Sequence, residues 1–178
     1  IDSGDNILVN GAFNSPMVDF DPGSGTHYVY NAGSYDGFLS KFSNSGVFQW
    51  VDLWAEPGHD TVWAVDEDED GNLLVAGHFY GETDLNPGAG EDFHTSAGLS
   101  DSFLVKLSPA NEYIWGISWG GSHYEGPYVV EISEVGLIHV AGRFQGVSDF
   151  DPGPGVENRL SSGMYDTYIN MIIPSGTW

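Results

Sequence analysis

Acidic side chains in short turns are the groups of this sequence best suited to chemistry. Residues 66–72 have the spacing Asp-x-Asp-x-Asp-Gly, which places carboxylates at Asp66, Asp68 and Asp70 around a tight turn. Calcium takes about six to eight hard oxygen ligands from such loops. The match is incomplete, because Gly77 stands where a bidentate Glu would close the loop. The alternative is an acidic hairpin turn, and the aligned segment 131–136 favours it by keeping the turn without the Asp pattern.

A second acidic element occurs three times. Asp-Phe-Asp-Pro-Gly at 19–23 returns as Asp-Leu-Asn-Pro-Gly at 84–88 and in its original form at 149–153. Oxygens on alternate residues before a Pro-Gly turn could hold one calcium ion per copy. We favour the other interpretation, in which these side chains cap turns by accepting backbone N–H groups. The candidate ligands are Asp19, Asp21, Asp84, Asn86, Asp149 and Asp151, completed by Asp36, Asp101 or Asp166.

Catalytic patterns are weak in this sequence. The six His residues form no His-x-x-x-His pair and do not recur at equivalent positions, which disfavours a transition-metal site. There is no nucleophile-elbow sequence, and although acids are plentiful, no pair stands out as a glycosidase would require. We therefore expect that the protein is not an enzyme.

The spacing of the aromatic residues favours packing between sheets over glycan binding. Trp50 and Trp54 return as Trp115 and Trp119, which predicts that they pack between sheets. If an aromatic side chain binds a glycan, we expect it to be one of the two tyrosines in predicted loops, Tyr80 or Tyr124.

The elements that must position these residues repeat at a fixed interval. The acidic element begins at positions 19, 84 and 149, a constant step of sixty-five that the repeated tryptophans also keep, whereas the second apolar run of the first copy, at 6–13, is out of step by one residue. We call this step the period. Self-similarity at a fixed period indicates stacked supersecondary units that cannot bury their apolar faces alone.

Each period contains four short apolar runs and nothing that reads as a helix. In the best-defined copy the runs lie at 62–65, 72–79, 102–107 and 113–119. Tight turns join the first run to the second and the third to the fourth, whereas a longer loop with the acidic element separates the second from the third. We predict an all-β fold of β-propeller-type blades, with one four-stranded antiparallel sheet in each period of sixty-five.

The repeated unit resembles the bacterial SBBP-type β-propeller repeats of large secreted and cell-surface proteins. The middle copy carries the fullest resemblance, and the third and first copies depart from it at Met171, in place of Lys, and at Ala55-Glu56, in place of Gly-Gly. The resemblance implies an extracellular location and fixes no activity. The matching positions are Asp84, 86–88, 96–98, Asp101, Phe103, 106–107, Trp115 and 120–121.

The chain is predicted to be a single repeat array of about 2.7 blades, with approximate units at 1–61, 62–126 and 127–178. Propellers close with about four to eight blades. We therefore expect this array to be part of a larger propeller or assembly, whether a fragment, a swapped oligomer or an open array.

Charge narrows the range of partners. Twenty-six acidic residues against four basic ones give a formal charge of −22, which disfavours nucleic acid and anionic lipid surfaces and favours a cation-rich extracellular or cell-surface setting. No apolar stretch is long enough for membrane insertion, and there is no cysteine. We expect a scaffold, adhesion or protein-interaction module whose partners are copies of itself or another protein. The alternative is a carbohydrate-binding or carbohydrate-active propeller that takes a glycan.

Overall fold

The computed structural model describes residues 1–178 and contains fourteen strands and no helix. All the strand pairs within its sheets are antiparallel, so the prediction of an all-β fold is confirmed. The strands are β1 (Ile7–Phe13), β2 (Met17–Asp19), β3 (Tyr28–Tyr30), β4 (Asp36–Phe42), β5 (Phe48–Trp54), β6 (Thr61–Glu67), β7 (Leu73–Asp84), β8 (Phe93–Leu107), β9 (Tyr113–Gly121), β10 (Glu125–Ile132), β11 (Ile138–Phe144), β12 (Val147–Asp149), β13 (Asn158–Leu160) and β14 (Asp166–Ile172).

Three stacked sheets and one separate two-stranded ribbon are built from these strands. The central sheet is a four-stranded meander in the order β6-β7-β8-β9. The first sheet has the order β1-β4-β5, and the third sheet has the order β10-β11-β14. The β2–β3 pair forms a separate two-stranded ribbon, and the β12–β13 pair continues the central sheet beyond β9.

The hairpin turns depend on residues that tolerate a left-handed backbone. Gly46, Gly71 and Gly136 have φ values of 81°, 80° and 78°, and Asn111 has a φ of 62°. Gly meets no steric penalty there, and Asn is one of the few other residues that adopt this region readily. The acidic segment 66–72 therefore comprises the last two residues of β6 and the hairpin turn at 68–72 that leads to β7.

The segment between the second and third runs differs from the predicted loop. Its residues form a short hairpin in every copy, such as the pairing of Met17, Val18 and Asp19 with β3. In the central sheet the hairpin is a direct continuation of β7 and β8, from Glu82 to Asp84. Three residues on each side are too few to show a strand alternation in the sequence, which is why the pairing was missed. The acidic element lies at the tip of this hairpin.

Two apolar cores lie between the sheets. In the core between the first and central sheets, the indole of Trp54 is fully buried and stacks on Phe103, with ring centroids 5.7 Å apart. In the core between the central and third sheets, Trp119 meets Tyr168 edge to face at 6.3 Å. The repeated tryptophans thus contact the next sheet at the same position each time.

Phe38 is the exception in the aromatic series that includes Phe103 and Tyr168. It packs on Phe20 and Phe13, on the face of the first sheet that has no neighbouring sheet. Phe38 is consequently only half-buried, whereas Phe103 is fully buried.

A largely buried ion pair anchors the turn before the second strand of two copies. Lys106 Nζ lies 2.8 Å from Asp68, and Lys41 Nζ lies 2.6 Å from Asp2. The third copy has neither charge, because Met171 replaces the Lys and Ser133 caps the turn instead of the Asp. Charge and countercharge are lost together, as expected where an unpaired buried charge is costly.

We predict that Lys106→Met lowers the free energy of unfolding by about 2–3 kcal/mol, because it leaves Asp68 without its countercharge in a largely buried position. Adding Asp68→Ser should recover at least half of this loss, because the pair then matches the third copy. Urea denaturation of both single variants, the double variant and the wild type measures the coupling. Additive losses in the double variant would contradict the prediction.

Candidate functional site

The three acidic hairpin tips share one hydrogen-bond pattern. Asp19 Oδ1 accepts the N–H groups of Asp21 at 3.1 Å and His27 at 2.7 Å, and Asp21 Oδ1 accepts that of Gly23 at 2.8 Å. These are the bonds of turn caps, as the favoured interpretation requires. Calcium at these tips stays a prediction. The same bonds recur through Asp84, Asn86, Asp149 and Asp151.

The three carboxylates of segment 66–72 have separate contacts. Asp66 Oδ2 accepts the N–H of Ile132 in the third sheet at 2.9 Å, whereas Asp68 accepts bonds within its own turn and pairs with Lys106. Asp70 is exposed. Burial alone raises the pKa of Asp68, but the Lys106 ammonium and nearby amides outweigh it and lower that pKa. In residues 1–178 no three His, Asp or Glu side chains are grouped closely enough to hold a metal by themselves.

Buried carboxyls occupy both junctions between the sheets, and half of them were not predicted from the sequence. We call the contact of the first and central sheets the first junction, and that of the central and third sheets the second junction. The first junction contains Asp36 and Asp60, and the second contains Asp101 and Glu125, all at most 4% exposed. Asp60 and Glu125, which were missed, are one period apart, and that spacing is the signal that could have found them.

At the second junction a serine hydroxyl is hydrogen-bonded to the buried Glu125 carboxyl. Ser148, which is fully buried, donates its hydroxyl hydrogen to Glu125 Oε1, and the Ser100 hydroxyl donates to the Glu125 carbonyl at 3.0 Å. Burial, followed by the nearby Asp101 carboxylate, raises the pKa of Glu125 to about 7. Burial also raises the pKa of Asp101 to about 6.

The first junction has the same plan and lacks that bond. Thr83 takes the place of Ser148, yet its hydroxyl and both carboxyl oxygens of Asp60 are buried without a hydrogen-bond partner. Burial raises the pKa of Asp60 to about 8, and the charges of Asp36 and Glu56 add to the effect. The two junctions are thus chemically different despite their common backbone.

A continuous group of aromatic and basic rings lies along the first-strand side of the array, and we call it the aromatic belt. Tyr80 and Tyr124, the predicted glycan-binding candidates, meet there at 6.1 Å. Tyr80 lies in β7, whereas the sequence predicted a loop. The members of the belt are Tyr35, His59, Trp63, His78, Tyr80, Tyr124, Tyr128, Arg143 and Tyr165.

Neighbouring side chains hold the belt in place. Trp63 donates its indole N–H to His78 Nδ1 at 2.9 Å and meets Tyr128 edge to face at 5.6 Å. Arg143 lies over the rings of Tyr128 and Tyr165 at 5.5 and 4.4 Å, within cation–π range. Burial, with help from nearby positive charge, lowers the pKa of His78 to about 4, so its imidazole is neutral and free to accept the Trp63 bond.

The belt uses equivalent positions of successive copies. Trp63 and Tyr128 are one period apart, as are His59 and Tyr124, and His78 and Arg143. A small cavity of about 60 Å³ opens between its rings. The belt was not predicted because each position changes residue type from copy to copy, although the period is retained.

Comparison with known proteins adds no assignment. No family model matches the sequence, and no curated protein is similar to it. The structure has no helix long and apolar enough to cross a membrane.

We predict that the protein loses stability as the pH rises from about 4.5 to 8. A carboxyl whose pKa is raised in the folded state keeps its proton after the unfolded chain has lost it, so the stabilisation is complete below the unfolded pKa and lost through the folded one. The shift at Glu125, from 4.5 to about 7, corresponds to about 3 kcal/mol.

Glu125→Gln should reduce this decline, because the amide carries no proton to lose and can still accept the Ser148 bond. Urea denaturation at pH 5, 6, 7 and 8 in chelator would measure the change, with exposed Glu112→Gln as the matched control. Parallel pH profiles for both variants and the wild type would show that Glu125 is not the titrating group.

Most of the decline should remain in the Glu125→Gln variant, because the pKa values of Asp52, Asp60 and Asp101 are also raised. The lowered pKa of His78 opposes the decline below about pH 6.5, since the unfolded chain gives up that proton at higher pH than the folded protein does.

Proposed function

We propose that this chain is a non-enzymatic module of the β-propeller type that acts as an extracellular scaffold or adhesion domain. In this proposal the aromatic belt contacts the partner. The belt is the single observation that carries the proposal, because it is the largest group of ordered, partly exposed aromatic side chains on the molecule and it recurs in register. Trp63, Tyr124 and Tyr128 are 45%, 38% and 42% exposed.

The relation of neighbouring sheets supports the propeller arrangement. At the first-strand side, β6 and β10 lie against each other, with Trp63 and Tyr128 in contact. At the fourth-strand side, β5 and β9 have no comparable contact. Sheets that are close at one edge and apart at the other have the wedge shape of blades around an axis.

The position of the perturbed acids supports a non-enzymatic role. Asp60 and Glu125, whose pKa values are raised furthest among the acids, lie inside the sheet junctions at 0% and 2% exposure. Catalytic acids must reach a substrate. Buried between packed sheets, these groups are placed to hold the sheets together.

The chemistry of the belt suits contact with a neutral surface. Tyr and Trp are enriched at protein interfaces because they combine a large apolar ring with a polar group. Arg143 is the only charged side chain in the belt at neutral pH. A patch with a single positive charge, on a protein of charge −22, can approach a partner without the repulsion that the rest of the surface exerts.

Carbohydrate binding is the second candidate, and the same belt favours it. Aromatic faces exposed beside hydroxyl, indole and imidazole groups offer both stacking and hydrogen bonds to a sugar ring. Tyr80 and Tyr124 flank the small cavity, which makes them its central residues under this alternative.

The propeller arrangement predicts that equivalent positions lie farther apart on the fourth strands than on the first strands. Because the chain has no cysteine, pairs of cysteines can be introduced and spin-labelled without background. Labels at Gln49 and Ile114 should be farther apart than labels at Trp63 and Tyr128. Electron paramagnetic resonance gives both distances, and equal values would indicate a flat stack of sheets.

Adhesion should depend on the belt. Beads coated with the protein are expected to bind a surface coated with the same protein, and Trp63→Ala with Tyr128→Ala should weaken binding about 30-fold, as loss of a hot spot worth about 2 kcal/mol does. Ile114→Ala is the matched control, because it removes a similarly exposed apolar side chain from the fourth strand. Binding to cellulose or chitin surfaces alone would favour the carbohydrate alternative. Equal binding by all variants would exclude the belt as the contact surface.

A further inference from the structure

The first junction contains buried acidic side chains and no basic one. Asp36 and Asp60 are both fully buried there, and Glu56 lies near enough for its charge to act on Asp60. The Asp36 carboxylate accepts N–H groups from its own turn at 2.7 and 3.1 Å, which satisfies its oxygens. The Asp60 carboxylate has no such partner.

None of the four basic side chains reaches this junction. Each of them is engaged elsewhere, three in ion pairs and one over aromatic rings. Two buried carboxylates side by side are unstable unless a positive ion or a proton joins them. The pairs are Lys41 with Asp2, Lys106 with Asp68, Arg159 with Glu157, and Arg143 with Tyr128 and Tyr165.

The backbone brings the acids of the first junction together. The Asp60 N–H donates to the Tyr35 carbonyl at 2.8 Å, one residue before Asp36. A methyl group on Gly37 would lie 3.3 Å from the Thr61 backbone, so the two chain segments are in direct contact. The N–H groups of Glu56 and Tyr80 face the Asp60 carboxyl and favour its ionised form, but neither comes within normal hydrogen-bond geometry of it.

The second junction has one bond that the first junction lacks. There Glu125 Oε1 accepts the hydrogen of the Ser148 hydroxyl, whereas Glu125 Oε2 and Asp101 Oδ1 are buried without a hydrogen-bond partner. Asp60 is one methylene shorter than Glu125, and neither it nor Thr83, which corresponds to Ser148, has a partner. The first junction therefore contains three buried oxygens without a hydrogen-bond partner, two on the Asp60 carboxyl and one on the Thr83 hydroxyl.

The two junctions also differ in their strand pairing. At the second junction β12 pairs with the end of β9 through Ser148–Gly121 and Asp149–Gly120. The residues of the first junction that correspond to the two glycines are Ala55 and Glu56, and the pairing is absent there. A Cβ on Gly121 would overlap the Val147 carbonyl oxygen, so side chains at this position keep the strands apart.

A single cation accounts for both the charge and the unpaired oxygens. The uncharged alternative takes two groups, a proton on Asp60 that removes the charge and a water molecule that supplies the missing hydrogen bonds. A hard divalent cation neutralises two carboxylates and takes carboxylate and hydroxyl oxygens as ligands.

We propose that the first junction is a calcium site in which the Asp60 carboxylate and the Thr83 hydroxyl bind the ion, with Asp36 and Glu56 supplying the balancing charge. Calcium suits it better than magnesium, because calcium accepts irregular sets of ligands whereas magnesium demands a regular octahedron. The ion would join the first and central sheets. The site is distinct from the acidic hairpin tips and does not depend on the adhesion proposal.

Calcium titration by calorimetry at pH 8 should show one ion per chain. Calcium at a hundredfold excess over its dissociation constant should raise the melting temperature by about 5–10 °C over a chelator sample at matched ionic strength. The same concentration of magnesium should give less than a third of that shift. No calcium binding by the wild type would overturn the proposal.

Asp60→Glu is the decisive variant, because it places at the first junction the residue that bonds to a hydroxyl at the second junction. It should remain folded and lose at least tenfold in calcium affinity, and Thr83→Val, a smaller change, should also lose about tenfold. The converse pair, Glu125→Asp with Ser148→Thr, should add a second calcium ion. Asp60→Glu binding calcium as tightly as the wild type would contradict the assignment.

The hairpin tips provide the controls. Asp84→Asn and Asp149→Asn should leave the stoichiometry at one ion and the affinity unchanged. Loss of binding in these variants, with Asp60→Glu unaffected, would place calcium at the tips and overturn the junction site. Circular dichroism of every variant separates loss of the site from loss of the fold.

Discussion

The central sheet is apolar on both faces, and this constraint shapes the rest of the molecule. Leu74 and Val75 alternate along one strand, Leu104 and Val105 along the next, and all four are fully buried. Their side chains enter opposite cores. A sheet of this kind needs a neighbour on each side. Stacking in register meets that need, and it fixes where the tryptophans, the buried acids and the hairpin tips must lie.

Where two copies differ, residues that contact each other differ together. Phe103 becomes Tyr168 in the next copy, and the added hydroxyl bonds to Ser102 at 3.1 Å instead of being buried alone. The Lys and Asp of the turn anchor are likewise replaced together by Met171 and Ser133. Because an unpaired polar group inside a stacked array is costly, a repeat position changes together with the group that it contacts.

The sequence predicts this structure best where one residue type repeats. The strands, the tight turns at glycine and the Trp54–Trp119 equivalence all follow from identity between positions one period apart. It predicts less where equivalent positions change chemistry, as from Asp60 to Glu125 or from His78 to Arg143. One methylene between Asp and Glu decides whether a buried hydroxyl is reached, and this depends on distances that no sequence pattern encodes. The aromatic belt was missed for a related reason, because its rings meet only after the sheets have stacked.

The β12–β13 hairpin has a consequence for how the chain is made. It is encoded between two strands of the third sheet, yet it hydrogen-bonds to the end of β9 in the central sheet. On the ribosome, the central sheet cannot acquire this edge until the residues up to Leu160 have emerged. Tension applied to the third sheet would in turn pull on the central one. The second and third units are therefore interlocked in both synthesis and mechanical load.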